Sequence, residues 1–382
     1  MIDNHIDDEF DLTYMRRAIE LAKKGTGAVN PNPLVGAVIV KAGRIIGEGY
    51  HVRYGELHAE RAAFASLADP AEAEGAVMYV TLEPCCHFGK QPPCVDAIIE
   101  HKIRKVYCGS DDPNAMVAGK GFRRLRDAGI EVYTHCLKDE CDALNDIFFK
   151  YIIAKKPYVT MKYAMTMDGR IATHIGASKW ITGEASRAYV MELRNRHKGI
   201  MAGIGTVLAD DPMLTCRIEN GMDRDTDNVR NPIRIICDSK LRIPEDSNIV
   251  QTAVEIETIV ATTPDGAADT AKCDRLREKS VSIIETGSTD GNVDLRQLMD
   301  ILGGKGIDGI LLEGGGELNY SMVSEELVDE ACVFIAPKIF GGEGKYSPVS
   351  GTGVDVPADA HMFRLEEVRR FDEDVMLRYK KV

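Results

Sequence analysis

The chain has little that would tie it to a membrane, an export route or a polyanion. No window approaches the ~20 consecutive apolar residues of a membrane-spanning helix. The start carries Asp3, Asp7, Asp8, Glu9 and Asp11, with neither the apolar core of a signal peptide nor the arginines of a transit peptide. A cytoplasmic protein is expected. Cations are in deficit: 47 Lys and Arg against 60 Asp and Glu give a formal charge of −13. Gripping nucleic acid through a general surface needs clustered cations, so no nucleic-acid and no membrane partner is expected, although a local anion pocket stays open. Cysteine is too sparse for a disulfide scaffold, ten in 382 residues, and a reducing compartment follows. Seven cysteines (Cys108, Cys136, Cys141, Cys216, Cys237, Cys273 and Cys332) are scattered and read as core. Cys85, Cys86 and Cys94 cluster. There is no internal repeat and no low-complexity tract.

What is present is an α/β pattern. Met15, Ala18, Ile19 and Ala22 recur at helical spacing, and Gly25 to Pro33 then breaks the run. Leu34 to Val40 and Ile45 to Gly49 predict a hairpin around Gly43. Strands are expected at Val77–Leu82, Lys105–Gly109 and Ile130–Tyr133, and helices at Ala59–Leu67, Val95–Glu100 and Phe122–Ala128, the last capped by Gly129. A boundary falls in the Ile147–Pro157 stretch, dividing a domain 1–152 from a domain 153–382. The second half predicts strands at Tyr158–Ala164, Ile233–Cys237, Thr258–Thr262, Gly309–Leu312 and Cys332–Ala336. Helices fit Ser186–Arg196 and Asp294–Leu302, and the polar stretch Glu219–Asn231 reads as an exposed insertion or mobile loop. Two α/β domains are expected.

One constellation carries chemistry. His58-Ala-Glu60 opens a helical pattern, and Pro84-Cys85 with Pro93-Cys94 follows a strand. Catalytic zinc takes three nitrogen or sulfur ligands and keeps one position open, and one His with two Cys fills that quota. The metal brings the pKa of a bound water towards neutrality. Glu60 is placed to carry protons without being a ligand. A lone histidine would read as a satisfied core residue, but H-x-E, a strand and then P-C…C together point to a zinc deaminase. That signature is P-C-x-x-C, whereas eight residues separate Cys85 from Cys94 here. Cys86 and His87 are rival ligands by proximity; Cys86 is read as a non-ligand, because adjacent cysteines seldom both reach one metal.

In the second half, Leu311-Leu-Glu-Gly-Gly-Gly-Glu-Leu-Asn319 reads strand, glycine turn, helix. Bare NH groups at a helix start suit a nucleotide phosphate. Position 319 is Asn where a Rossmann fingerprint has its third glycine, and Gly203-Ile-Gly205 also lacks one, so a Rossmann site is disfavoured. A plain strand–helix turn explains the glycines equally well.

The motifs taken together resemble a known family. Asn30-Pro-Asn-Pro33, Val35-Gly-Ala-Val38, His51-x-x-x-Gly55-x-x-His58-Ala-Glu60, Thr81-Leu-Glu-Pro-Cys85, Gln91-Pro-Pro-Cys94 and Asp112-Pro-Asn114…Gly119-Lys-Gly121 occur in order. Met161 to Arg170, Ser178-Lys-Trp180, Thr206 to Thr215 and the Leu312 to Gly316 turn follow. Over nearly the whole length this looks like the bifunctional riboflavin-biosynthesis deaminase/reductase family, in which the wide Cys…Pro-Pro-Cys spacing is a family feature. The resemblance implies an N-terminal cytidine deaminase-like three-layer α/β domain and a C-terminal dihydrofolate reductase-like α/β domain. It implies zinc on His58, Cys85 and Cys94, with Glu60 as proton shuttle, and a pyrimidine pocket with Asn30, His51 and Asn114. As plain structure, those asparagines would be turn formers and His51 a surface residue.

For the second domain the resemblance implies NADPH, with contacts from Ala164, Trp180, Thr206, Asp210 and Ser239. The turn Gly315, Gly316, Glu317, Leu318, Asn319, Tyr320 and Ser321 belongs to the same set. Substrate contacts are implied from Lys162, Ser178, Arg194, Leu214, Arg217 and Glu313. Arg194 and Arg217 suit the substrate phosphate through forked hydrogen bonds, although Arg194 also fits a solvated helix face. Trp180 would ordinarily be core filler, and Asp210 fits a turn cap before Pro212. Lys162 or Glu313 is expected to assist proton movement, since the cofactor itself does the hydride chemistry.

The implied function is deamination of 2,5-diamino-6-(5-phosphoribosylamino)pyrimidin-4(3H)-one by zinc-activated hydroxide. NADPH then reduces the ribosyl group to ribityl, in a homo-oligomer (dimer or tetramer). Two alternatives remain beside it: a deaminase of another base with a fused accessory domain, and a binding module whose zinc is structural.

Overall fold

The computed structural model describes residues 9–218, 229–343 and 346–382. Most of the polar stretch expected to be a loop, residues 219–228, and the first eight residues lie outside the described set. The chain divides after Ala154 into two compact units.

The first unit is a five-stranded sheet between two helical layers. Its elements are α1 (Glu9–Lys23), β1 (Gly36–Lys41), β2 (Arg44–Tyr50), α2 (Ala59–Ala65), β3 (Val77–Leu82), α3 (Cys94–Glu100), β4 (Lys105–Ser110), α4 (Lys120–Asp127), β5 (Glu131–Tyr133), α5 (Lys138–Asp142) and α6 (Asp146–Ala154). Strand order is β2-β1-β3-β4-β5, with β1 antiparallel to both neighbours and β3, β4 and β5 parallel. The central strands are apolar on both faces because both are covered. Ala37, Ile39, Met78 and Val80 pack with Ala63, Ile98 and Leu125 of α2, α3 and α4. Val38, Val40, Tyr79 and Tyr107 pack on the other side with Met15 and Ala18 of α1.

The second unit continues with β6 (Tyr158–Thr166), α7 (Glu184–Arg196), β7 (Gly199–Gly203), α8 (Ile204–Asp210), β8 (Ile233–Cys237), α9 (Asn248–Gln251), β9 (Thr258–Thr262), α10 (Pro264–Ala267), α11 (Thr270–Glu278) and β10 (Val281–Glu285). A small ribbon, β11 (Ser288–Thr289) with β12 (Asn292–Val293), precedes α12 (Leu295–Gly304), β13 (Gly309–Leu312), α13 (Gly316–Ser324), β14 (Glu330–Ala336), β15 (Phe363–Phe371) and β16 (Asp374–Lys381). The nine-stranded sheet runs β10-β9-β8-β7-β13-β6-β14-β16-β15, parallel from β10 to β14, with β16 and β15 added antiparallel. The order reverses at β6: the chain runs outward from β7 to β10, then returns to place β13 and β14 on either side of β6. Ligands of open parallel sheets bind beyond the carboxyl ends at such a reversal.

Six of the seven scattered cysteines are buried, and Cys237 is half-buried. Elements not anticipated include β7, β10, α11 and the β15–β16 hairpin. Among the described residues no helix is long and apolar enough to cross a membrane.

Candidate active sites

In the first unit, His58, Cys85 and Cys94 converge. His58 is the extended residue that opens α2, Cys85 follows β3, and Cys94 begins α3. Gly49 allows α2 this position: a Cβ there would lie 2.2 Å from the Ala63 nitrogen. His58 Nδ1 is 3.5 Å from Cys85 Sγ and 3.4 Å from Cys94 Sγ, and the Cys94 backbone NH donates to Cys85 Sγ at 3.3 Å. Tetrahedral zinc, with bonds of ~2.3 Å to sulfur and ~2.0 Å to nitrogen, spaces adjacent ligand atoms by about 3.5 Å. The donor set therefore fits zinc. A hydrogen bond from the Cys94 thiol, followed by contact with His58, pulls Cys85 down to about 4, and Cys94, the donor of that bond, is pushed up. Among the described residues the cluster comprises these three side chains only, the number for a catalytic rather than a structural site. Cys86 faces the Met116 carbonyl at 3.6 Å instead.

Glu60 lies in the first turn of α2 and is 3% exposed. Burial, reinforced by the neighbouring Cys85, pushes its carboxyl up, so it holds a proton more readily than a surface glutamate. His51 is buried rather than on the surface, with its ring 5.5 Å from that of His58. Its Nδ1 meets the Leu57 carbonyl at 3.0 Å, so that nitrogen carries the hydrogen, and its Nε2 accepts from Asn32 Nδ2 at 3.3 Å. Asn32 therefore also touches His51, and Asn30 is half-buried at the start of the same turn. That turn is held by Asn145, a residue no motif marks, whose amide pairs with both the NH and the carbonyl of Leu34 at 2.8 and 2.9 Å. Asn114 is half-buried; its Oδ1 accepts the Met116 NH at 3.1 Å, and its own NH donates to Asp112 at 2.8 Å. Asp112, also unanticipated, is buried, which pushes its carboxyl up to about 6.

In the second unit, Lys162, Arg194 and Glu313 meet at the carboxyl end of β13. Arg194 donates through Nε and Nη2 to the two Glu313 oxygens at 2.6 and 3.0 Å, and through Nη1 to the Thr215 carbonyl at 2.8 Å. Lys162 Nζ is 3.7 Å from Glu313. Arg194 is therefore neither on a solvated face nor an open fork for a phosphate, because a carboxylate of matching geometry already fills it. Burial pushes the Glu313 carboxyl up, but Arg194 and then Lys162 outweigh it and hold the group at about 2. Glu313 is thus held as an anion between Arg194 and Lys162.

Two helix starts face each other beside this cluster. A Cβ on Gly315, which opens α13, would lie 4.0 Å from Thr206 Oγ1 in the first turn of α8, and one on Gly203 would lie 3.8 Å from Leu318. Ser178 Oγ donates to Asp210 at 3.4 Å, so Asp210 ties two loops and it is Asp211 that receives the Asn248 NH at the start of α9. Ala164 lies near the end of β6, Ser239 follows β8, and Arg217 is exposed. Trp180 is 64% exposed, not core, with the Arg187 guanidinium 4.7 Å above its ring. Leu214 points into the core, so only its backbone can meet a ligand, and its φ is 48°. Asn319 is fully buried, and its amide nitrogen holds the Gly314 and Pro348 carbonyls. It shapes the turn from behind. Within the turn, Gly316 faces Ser350, Tyr320 bonds Thr352 and Gly353, and Ser321 bonds the carbonyl of Glu317.

Residues 8–110 match the family described as cytidine and deoxycytidylate deaminase zinc-binding region, and residues 157–377 match the RibD C-terminal domain. The riboflavin biosynthesis protein RibD of Actinobacillus pleuropneumoniae is 49% identical over 369 residues, 97% of this chain and 95% of that protein. That of Escherichia coli is 39% identical over 97% of this chain and 99% of that protein. Among solved structures, Acinetobacter baumannii RibD superposes with a TM-score of 0.85 at 34% identity, covering 98% of this chain and 99% of the other. A diaminohydroxyphosphoribosylaminopyrimidine deaminase/5-amino-6-(5-phosphoribosylamino)uracil reductase from Thermotoga maritima gives 0.84 at 37% identity, with the same coverage.

Proposed function

The chain belongs to the RibD family, and from that premise we propose how its residues divide the two reactions of a riboflavin-biosynthesis deaminase/reductase. The first unit has the cytidine deaminase-like fold, and the second is the reductase. Residues 1–152 form the deaminase domain and 153–382 the reductase domain. The carrying observation is the His58, Cys85 and Cys94 cluster beside a buried Glu60.

These three residues would hold Zn²⁺, which as a Lewis acid would make water nucleophilic at neutral pH. Glu60 takes the proton from the attacking water and delivers it to the amine that leaves as ammonia. His51, Asn30 and Asn114 orient the pyrimidine. In the second unit Thr206 and the turn Gly315–Ser321 would hold NADPH, which when bound would supply the hydride. Ala164, Trp180, Asp210 and Ser239 complete its site. Ser178, the Leu214 backbone and Arg217 bind the phosphoribosyl substrate, while Glu313 fixes Lys162 to move the proton that accompanies the hydride.

The chain works as a homo-oligomer, a dimer or tetramer. An apolar groove of about 760 Å³ over β6, β14 and β16, lined by Met165, Val333, Ile335 and Leu377, supports this. Its compartment is the cytoplasm, in keeping with ten cysteines that form no disulfide.

The test is mass spectrometry of the product after incubation with the diamino-ribosylaminopyrimidinone phosphate, zinc and NADPH. Exchange of an amine for oxygen with gain of two hydrogens is expected. Deamination without reduction would sink the second assignment, and unchanged substrate would sink the first. Glu60→Ala is expected to retain zinc and release no ammonia; ammonia release at the wild-type rate would remove Glu60 from the mechanism.

A further inference from the structure

Glu83 sits in the Thr81-Leu-Glu-Pro-Cys85 motif, and nothing in the chemistry above uses it. It follows β3, two residues before the ligand Cys85, and is 3% exposed. Such a carboxylate needs compensation, and among the described residues no cation lies within ion-pair distance of it. Backbone amides compensate it instead. Its Oε2 accepts the Gly119 NH at 3.0 Å, and its Oε1 accepts the Gly121 NH at 3.0 Å and the Phe122 NH at 3.4 Å. These are the otherwise unpaired NH groups at the start of α4, where a negative charge is also favoured by the helix dipole. The approach is so close that a Cβ on Gly121 would lie 2.3 Å from the Pro84 carbonyl oxygen and 3.0 Å from Glu83 Oε1.

The amides that Glu83 holds end the loop carrying Asp112 and Asn114. That loop is folded on itself: Val117 and Ala118 donate to the Asn114 carbonyl at 2.8 and 3.0 Å, Lys120 to that of Val117 at 2.7 Å, and Asn114 to Asp112 at 2.8 Å. A unit so braced moves as one piece. Its base is also tied, since the Glu83 NH donates to the Ser110 carbonyl at 2.9 Å.

We propose that Glu83 is a positioning residue of the deaminase, which locks the Asp112–Gly121 segment, and with it Asn114, in register with the zinc-ligand loop. The proposal rests on the reading of Asn114 as a substrate contact. Glutamine at 83 offers one oxygen where two are used and turns an NH₂ against a backbone NH, so the segment loosens while the ligands of the metal stay.

The experiment compares full-length wild type, E83Q, N114A and the double variant. It measures deaminase kcat and KM, zinc per chain, hydrogen exchange of the Gly119–Phe122 amides, and reductase rate as the check of folding. E83Q is expected to keep its zinc, exchange those amides faster, and raise KM about 10-fold with kcat within about 3-fold, the loss of roughly one charge-assisted contact. In the N114A background the same change should raise KM less than about 2-fold, because coupled residues are not additive. A fall in kcat at constant KM, multiplying KM effects, or unaltered exchange would overturn the proposal. If N114A alone leaves KM unchanged, the Asn114 assignment fails; the clamp then stands if E83Q still raises KM with faster exchange, and falls if it does not. Should E83Q lose reductase activity through misfolding, E83D carries the same readouts, since it keeps the charge but withdraws the carboxylate by one methylene.

Discussion

Replacing Arg194 by methionine removes the forked cation from a carboxylate that is almost out of water, and the structure allows the cost to be worked out. Glu313 is held at about 2 against its ordinary 4.5, which at ~1.4 kcal/mol per tenfold corresponds to about 3 kcal/mol favouring the ionised form in the folded chain. Because the folded value lies below the unfolded one, this stabilisation is complete above about pH 4.5 and is lost as pH falls through about 2. In Arg194→Met only Lys162, at 3.7 Å, still opposes the burial that pushes the carboxyl up. The Thr215 carbonyl also loses its donor. Breaking one side of a buried pair costs about 3–5 kcal/mol, so the second unit should lose about 3 kcal/mol at pH 7. The loss should shrink towards pH 4, where the variant's Glu313 is protonated at little cost. Adding Glu313→Leu should restore only part of the stability, because the carboxylate is gone but Lys162, its side chain 16% exposed, then loses its own partner. Urea unfolding followed by Trp180 fluorescence at several pH values measures this. A cost under about 1 kcal/mol, or one indifferent to pH, would refute the reasoning.

Two further outcomes follow from the first unit. Gly49→Ala places a Cβ 2.2 Å from the Ala63 nitrogen and 2.5 Å from the Ala59 carbonyl oxygen, so α2 must shift and carry His58 and Glu60 with it. Ammonia release should fall at least about 10-fold, with ~1–3 kcal/mol of overpacking strain, while NADPH oxidation on the deaminated intermediate is retained. Equal loss of both activities would refute a local effect. Asp112→Asn should stabilise the first unit at neutral pH. Burial raises Asp112 from 3.8 to about 6, so native stability is fully present below about pH 3.8 and is lost as pH rises through 6, by up to about 3 kcal/mol. Asparagine keeps an oxygen for the Asn114 NH and removes that loss; an unfolding midpoint that does not rise at pH 7 would contradict it.

The parallel strands were the most legible part of the sequence. Val77–Leu82, Ile233–Cys237, Thr258–Thr262 and Gly309–Leu312 are mainly apolar because both faces of their sheets are covered, Arg234 being the one charged residue among them, and turn residues bound them. The hairpin β15–β16 was not, because Arg364, Glu366, Glu367, Arg369 and Arg370 fill an edge strand whose partners lie across the ladder. β7 hid for another reason: Gly-Ile-Met-Ala-Gly has one β-branched residue and glycine at both ends. At the sites, the His-x-Glu and Pro-Cys patterns named the zinc cluster because its ligands need particular donor atoms. The sequence was silent on what fills Arg194, since a guanidinium fork suits a phosphate and a carboxylate alike, and Glu313 lies 119 positions away. It was equally silent on Asn145 and Glu83, whose work is to accept or donate to backbone groups of distant loops.

Three glutamates show how one residue type is given three settings. Glu60 is buried close to Cys85, and desolvation raises its carboxyl, which suits the proton shuttle proposed for it. Glu313 is half-buried, and Arg194 grips both of its oxygens; desolvation is overcome, and the carboxyl is held down as an anion beside Lys162. Among the described residues Glu83 meets no cation and is matched by three backbone amides, which bind the oxygens in fixed directions and make the side chain a fastener between two loops. What separates the settings is the partner each carboxylate finds on burial. A reading of either site must therefore begin from those partners, because the glutamates themselves are chemically identical.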